Sequence, residues 1–232
     1  MAQAKRMDGR KFDEMRPRSI KVGVVKNADG SAIYQQGRTK VLAAVYGPKT
    51  LHPQRLRDVD KGKLRVTYRM LPFSVEEHKS PKPGRRDIEL GLVIKEALES
   101  SIFLEEFGNA VVDVHVYILQ SDAGSRCASI CAASLALADA GIPMRDLVSS
   151  VAGGLVNGQP VIDLTADEEH TEGAVDMAMA YNENLDKLTL LQMDGRIDDK
   201  QLMSVIDLAI KCSKQIKGEM IDALKSKYGD SK

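Results

Sequence analysis

An α+β fold is what this sequence predicts, on three observations. Segments rich in β-branched residues come in groups ahead of helix-period segments, without the strict alternation of a β/α repeat, so sheets and helices segregate into layers. The second half of the chain repeats that theme. And 43% hydrophobic residues over 232 positions suffice for the core of one large domain or two compact lobes.

Taken in order, residues 1–17 are polar and read as an N-terminal arm. Strands are predicted over Ile20–Lys26, Ala32–Gln36, Val41–Tyr46 and Leu64–Leu71, separated by the turn pairs Asp29-Gly30 and Gly47-Pro48. His52–Lys63 and Ser80–Arg86 (SPKPGRR) are basic loops marked by Pro and Gly. From Asp87 to Phe107 the apolar residues Leu90, Val93, Ile94, Ala97, Leu98, Ile102 and Phe107 recur at helical spacing, and Gly108 is the expected stop. A strand over Ala110–Leu119 and a helix over Ser125–Ala140 close the first lobe, expected to span 18–145 with the break near Pro143–Leu147. The second lobe, 146–232, should hold strands near Val148–Val156, Pro160–Leu164, Val175–Tyr181 and Lys187–Met193. A long helix follows, with Leu202, Val205, Ile206, Ala209, Ile216, Met220 and Leu224 on one stripe.

Lys+Arg and Asp+Glu both number 33, and this balance, with the apolar share, argues against disorder. No apolar run reaches the roughly 18 residues of a membrane span. The opening MAQAKRMDGRKFDEMRP has no hydrophobic centre of a secretory signal, so a cytoplasmic protein with no membrane partner is expected. Three cysteines without paired spacing fit neither a disulfide framework nor a structural zinc site, and Cys127 and Cys131 read as small buried thiols.

The zero net charge hides an asymmetry. Residues 38–86 carry thirteen Lys/Arg against four acids, while residues 160–199 carry eleven acids against Lys187 and Arg196. A basic stretch can release counterions from a polyanion; an acidic one can move a proton or hold a metal. With aromatics at 4% and no Trp, a nucleic acid would be held mainly by its backbone.

The sharpest local feature is a strand running through Asp122-Ala123-Gly124-Ser125-Arg126 into a helix. The first N–H groups of a helix have no internal acceptor, Gly124 admits close approach, and Arg126 offers a forked donor, together an anion site. Spacing alone leaves a second reading equally open: Ser125 capping the helix, with Arg126 solvated. Downstream, Asp176 shares a strand face with Ala178 and Ala180, which leaves room for a substrate beside a carboxylate. Phosphate site and carboxylate together point to phosphoryl transfer.

LHPQRLRDVDKGKLRVTY, LPFSVEEHKSPKPGRRDIEL, VIKEALES, ILQSDAGSR and ASLALADAGIPMRDL, in this order over residues 6–228, resemble the catalytic RNase PH-type subunit of the archaeal exosome. The resemblance implies an RNase PH-type fold of two similar lobes, each a mixed sheet packed on helices. It implies phosphorolysis of single-stranded RNA from its 3′ end, with inorganic phosphate as co-substrate, nucleoside diphosphates as products and tail addition in reverse. As partners it implies a related inactive subunit, alternating with this one in a hexameric ring, and RNA-binding cap subunits. Gly124, Ser125 and Arg126 match the family's phosphate-binding residues; Arg85 and Arg86 match the pair that grips RNA. Arg57, Lys61 and Arg65 fall in the neck of the entry channel. In the family an Asp precedes the position of Asp176 by six residues, where this chain has His170. The loop DLTADEEHTEGAVDM is one residue longer than the family pattern, which sets Glu169, or else Asp167, in that place. The expected proton donor is therefore Asp176, Glu169 or Asp167, with His170 as a further candidate acid near neutral pH and Asp176 as a candidate Mg²⁺ ligand. Two alternatives stand beside this: a non-catalytic ring subunit that threads RNA, motivated by His170, and a free-standing enzyme trimming tRNA 3′ ends.

Overall fold

The computed structural model describes residues 6–77 and 79–229; residues 1–5 of the expected arm and 230–232 of the expected second lobe lie outside the described residues. The first sheet holds β1 (Arg18–Val22), β2 (Gly30–Gln36), β3 (Thr39–Thr50), β4 (Lys63–Met70) and β5 (Ala110–Gln120), in the order β1-β2-β3-β5-β4. The second holds β6 (Val148–Val156), β7 (Gln159–Ile162), β8 (Val175–Asn182) and β9 (Lys187–Asp194), in the order β7-β6-β8-β9. Helices are α1 (Arg85–Glu99), α2 (Ser125–Asp139), the single turn α3 (Ala166–Glu169) and α4 (Asp199–Gly229).

Both lobes were expected to carry a mixed sheet, and that holds for the first alone. There β4 runs parallel to β5 because α1 lies in the connection and carries the chain back across the sheet. The second sheet is antiparallel throughout: β6–β7 and β8–β9 are hairpins, and the connection through α3 brings β8 back against the far edge of β6. The tighter turn is Asn157-Gly158, both left-handed, the pair a two-residue hairpin favours.

Helix α2 lies between the sheets, touching β2, β3 and β5 on one side and β6 and β8 on the other. Its Ala- and Ser-rich sequence, buried almost throughout, is what lets two sheets approach one helix. At Gly30 a Cβ would fall 2.2 Å from the Ala140 nitrogen, so β2 can lie this close only as glycine. One continuous core results, with Ile118, Leu135, Val151, Met179 and Ile216 drawn from both sheets, α2 and α4. Each such side chain contributes about 1.5–3 kcal/mol over its exposed state. Cys127 and Cys131 are free and buried, as expected, and so is Cys212; burial pushes the Cys127 and Cys131 thiols up to about 12.

Three expectations need correction. The helix expected to reach Phe107 ends at Glu99. Ile102 instead bridges to Met144, and Leu104 starts a 3-10 turn. Their apolar spacing continues because both remain buried in the same core, not because the helix does. The N-terminal segment is not a free arm: Arg6 and Arg16 are buried. Arg6 donates to both oxygens of Glu168, at 2.8 and 2.7 Å. Finally, α3 forms within the expected acidic loop. Thr165 and Glu168 cap one another reciprocally, which the T-x-x-E spacing encodes.

Candidate active site

The turn from β5 into α2 is built from two successive left-handed residues, Ala123 (φ +54°) and Gly124 (φ +62°). Helix α2 begins at Ser125, and its N-cap is Gly124, which has no side chain to cap with. Ser125 is therefore not the cap, and the first N–H groups of α2 remain free for an anion. Nor is Arg126 a solvated residue. Its Nη1 donates to Gln192 Oε1 at 2.8 Å, while its buried Nε has no hydrogen-bond partner among the described residues. An unpaired buried guanidinium N–H is costly unless a ligand satisfies it. The Tyr68 hydroxyl reaches the Ser125 hydroxyl at 3.4 Å.

Opposite this turn stands the acidic wall. Asp176 and Ala178 of β8 face the cleft beside Ala152 of β6, while Met177 and Met179 are buried on the other face. Strand pleating makes this division, and the alanines leave the space. Glu169, at the end of α3, closes the cleft. The result is a cavity of about 180 Å³ in which Gly124, Ser125, Arg126, Arg86, Glu169 and Asp176 meet. Burial pushes the Glu169 carboxyl up to about 7, and the nearby Asp176 carboxylate pushes the same way. Asp176 is raised chiefly by burial; Arg126 opposes the shift, and Asp194, its partner across the β8–β9 ladder, adds to it.

Not every expected residue joins the cleft. Asp167 is exposed and lines a neighbouring groove with Arg38 and Asp122. Two residues along a helix turn about 200°, so Asp167 and Glu169 cannot face the same way. Arg86 lines the cleft; Arg85, one residue and about 100° away, does not. Arg65 lies five residues before Met70, a cleft residue, and so roughly 16 Å back along β4. It forms a two-pronged pair with Asp113, at 2.5 and 2.8 Å. Arg57 donates to the Leu51 carbonyl at 2.8 Å, and Lys61 is exposed. His170 is exposed, its Nδ1 2.6 Å from the Ala166 carbonyl, at the outer rim with Asp194. Sequence reasoning missed Gln192, Asp194 and Lys79 as cleft-lining residues. In the strand over Lys187–Met193 no local pattern marks the residues as facing Arg126; the register of β8 with β9 decides it.

Residues 14–143 match the model of the 3′ exoribonuclease family, domain 1, and residues 146–212 that of domain 2. The chain belongs to the RNase PH family. It is 50% identical over 224 residues to the exosome complex component Rrp41 of Pyrococcus abyssi, covering 97% of this chain and 90% of that protein. It is 46% identical over 228 residues to the Rrp41 of Nitrosopumilus maritimus, covering 98% and 93%. Among solved structures, rice Rrp46 matches with a TM-score of 0.85 at 25% identity, over 95% of this chain and all of that one. RNase PH membership bears out the resemblance, the α+β fold class and the reading as a phosphate-dependent 3′ exoribonuclease subunit of the exosome. Enzymes of the family use inorganic phosphate as co-substrate. Among the described residues no helix is long and apolar enough to cross a membrane.

Proposed function

We propose that this chain shortens RNA from its 3′ end by phosphorolysis, with the 180 Å³ cleft as the reaction site. The observation that carries the reading is the convergence of a free helix N-terminus, an unpaired Arg126 Nε and two carboxyls of raised pKa on one cavity. Inorganic phosphate sits against the amides that follow Gly124, the Ser125 hydroxyl and Arg126. Arg86 and Lys79 hold the RNA backbone across from it. An oxygen of that phosphate attacks the phosphorus of the last phosphodiester, and the bond from phosphorus to the 3′ oxygen breaks. The departing 3′ oxygen takes a proton from Glu169, and a nucleoside diphosphate leaves. Because phosphate and not water is the nucleophile, the enzyme is a nucleotidyltransferase and not a hydrolase.

With its carboxyl raised to about 7, a share of Glu169 carries at neutral pH the proton a general acid gives; Arg126 and the first amides of α2 steady the developing negative charge, and Asp176 is the second proton donor or the holder of a Mg²⁺. Its place in the cleft supports Glu169 in the role of the family's missing Asp, and favours an active subunit over one that only threads RNA. Among the described residues no group of three His, Cys, Asp or Glu could cage a metal. Mg²⁺, however, is commonly held by one or two carboxylates plus substrate phosphates. Asp176, with Asp194 opposite, supplies such oxygen donors. Mg²⁺ there would neutralise charge on phosphate oxygens.

The match to proteins named exosome complex component Rrp41 supports work within an exosome over a free-standing tRNA-trimming enzyme; a cytoplasmic hexameric ring shared with a related inactive subunit, under RNA-binding caps, is the further part of the proposal. The two matched segments support lobes over 18–145 and 146–232. Isotopically labelled orthophosphate tests the chemistry. The label should appear in released nucleoside diphosphates, and Arg126→Ala should cut release by roughly 10²–10³-fold. Unlabelled monophosphates would sink the reading.

A further inference from the structure

The phosphate turn makes no helix cap of its own, yet it carries two left-handed residues in succession. Its position is fixed from beneath by two buried side chains that converge on the Asp122 carbonyl. Arg16, from the N-terminal segment, donates to that oxygen through Nη1 at 2.5 Å. Thr39, the first residue of β3 and fully buried, holds its hydroxyl 2.9 Å from the same oxygen and 2.8 Å from the Ala123 carbonyl, which share its single O–H. The Asp122 N–H donates in turn to Thr39 Oγ1 at 2.9 Å. Arg16 also runs directly beneath the turn: a Cβ placed on Gly124 would lie 3.5 Å from its Nη2.

Arg16 is itself locked. Nη2 donates to Asp163 Oδ1 at 2.6 Å, Nε to both Asp163 oxygens at 3.1 and 3.0 Å, and its main-chain N–H to Oδ2 at 2.7 Å. Asp163 follows β7 and leads, two residues on, into the Thr165 cap of α3, whose last residue is Glu169. One guanidinium therefore spans from the turn that receives phosphate to the loop that carries the proposed proton donor.

We infer that Arg16 and Thr39 are positioning residues for phosphorolysis, setting the phosphate turn at its working distance from the acid. This rests on the proposed function of the same cleft and adds the residues that hold its geometry. Neither touches the region of Arg86 that grips RNA, so their loss should separate phosphate use from RNA binding. Lysine at position 16 keeps the charge but cannot fork between Asp163 and Asp122. Serine at 39 keeps the hydroxyl, while valine keeps the shape without it.

The test uses the full chain in its native assembly, with Arg16→Lys, Thr39→Val and Thr39→Ser. It measures phosphorolysis against orthophosphate concentration, RNA binding without phosphate, and thermal unfolding. Arg16→Lys and Thr39→Val should each lower kcat/KM for phosphate, by up to roughly a hundredfold for an ångström of misplacement. RNA affinity should hold, and Thr39→Ser should restore wild-type behaviour. Wild-type phosphate dependence in Thr39→Val overturns the inference, as does parallel loss of RNA binding in folded Arg16→Lys. If Arg16→Lys fails to fold, the Thr39 pair decides alone. A wild-type chain that releases no diphosphate would instead overturn the proposed function. Positioning is then read from ³¹P line broadening of orthophosphate, which Thr39→Val should abolish and Thr39→Ser retain; equal broadening in both overturns it.

Discussion

Two cationic regions serve this molecule in opposite ways. At the phosphate turn the guanidinium groups are enclosed: the Arg16 side chain is 7% exposed and every nitrogen has a fixed protein partner, while Arg126 keeps one buried N–H in reserve. In the basic stretch over 38–86 the cations face water, with the Arg65 side chain 57% exposed even while paired with Asp113. Enclosure holds donors still where a transition state must form, so they need no reorganisation at the moment of reaction. Exposure suits a strand that must slide, since contacts to a solvated backbone are individually weak and salt-sensitive. Both roles belong to the proposed function, and the difference in burial between these cations is what it predicts for donors that place phosphate and donors that hold RNA.

The comparison breaks most sharply at Glu169. Glu169→Gln should lower kcat by roughly 10²–10⁴-fold while leaving RNA affinity intact. An acid that acts only when protonated loses activity as pH rises through its pKa. With the Glu169 carboxyl near 7, the wild-type rate should fall above pH 7, and Glu169→Gln should erase that limb. If Asp176→Asn erases the limb and Glu169→Gln does not, the two carboxyls exchange roles. A smaller effect divides two neighbours. Arg86→Ala should weaken RNA binding and reduce its salt slope by about one, whereas Arg85→Ala, outside the cleft lining, should do so less. Equal losses in electrophoretic or anisotropy titrations would mean that the cleft does not discriminate between them. The smallest effect belongs to Arg65→Ala. It should reduce RNA affinity at low salt alone and shift stability by no more than about 1 kcal/mol, because Arg65 is itself exposed and the buried Asp113 keeps its second partner, Lys49, at 2.6 Å.

Much of the fold was legible because its signals are local. Val148–Val156 appears as a strand at the expected residues, and the Ser125 helix start lies where strand periodicity gives way after Gly124. Local signals failed where burial continued without the secondary structure that usually explains it, as at Ile102 and Leu104 beyond the end of α1. The site divides in the same way. Gly124, Ser125 and Arg126 are consecutive, so their place at one strand-to-helix turn could be read along the chain, while the choice between anion site and helix cap could not. Asp167 and Glu169 are also close in sequence, but a single helical turn aims them apart, and the Thr165-x-x-Glu168 capping signal that starts this turn went unread in an acidic loop.

By itself the sequence determined the α+β layering, the strand-to-helix turn at Gly124, the acidic face of Asp176 and the family, since each depends on residues near one another or on the pattern of the whole. Only the tertiary structure decided which carboxylate enters the cleft, which of two adjacent arginines lines it, and that a polar N-terminal segment anchors the turn through Arg16. Those outcomes depend on contacts between residues as far apart as Arg16 and Asp163, and a chain's linear order does not state which distant groups will share one buried space.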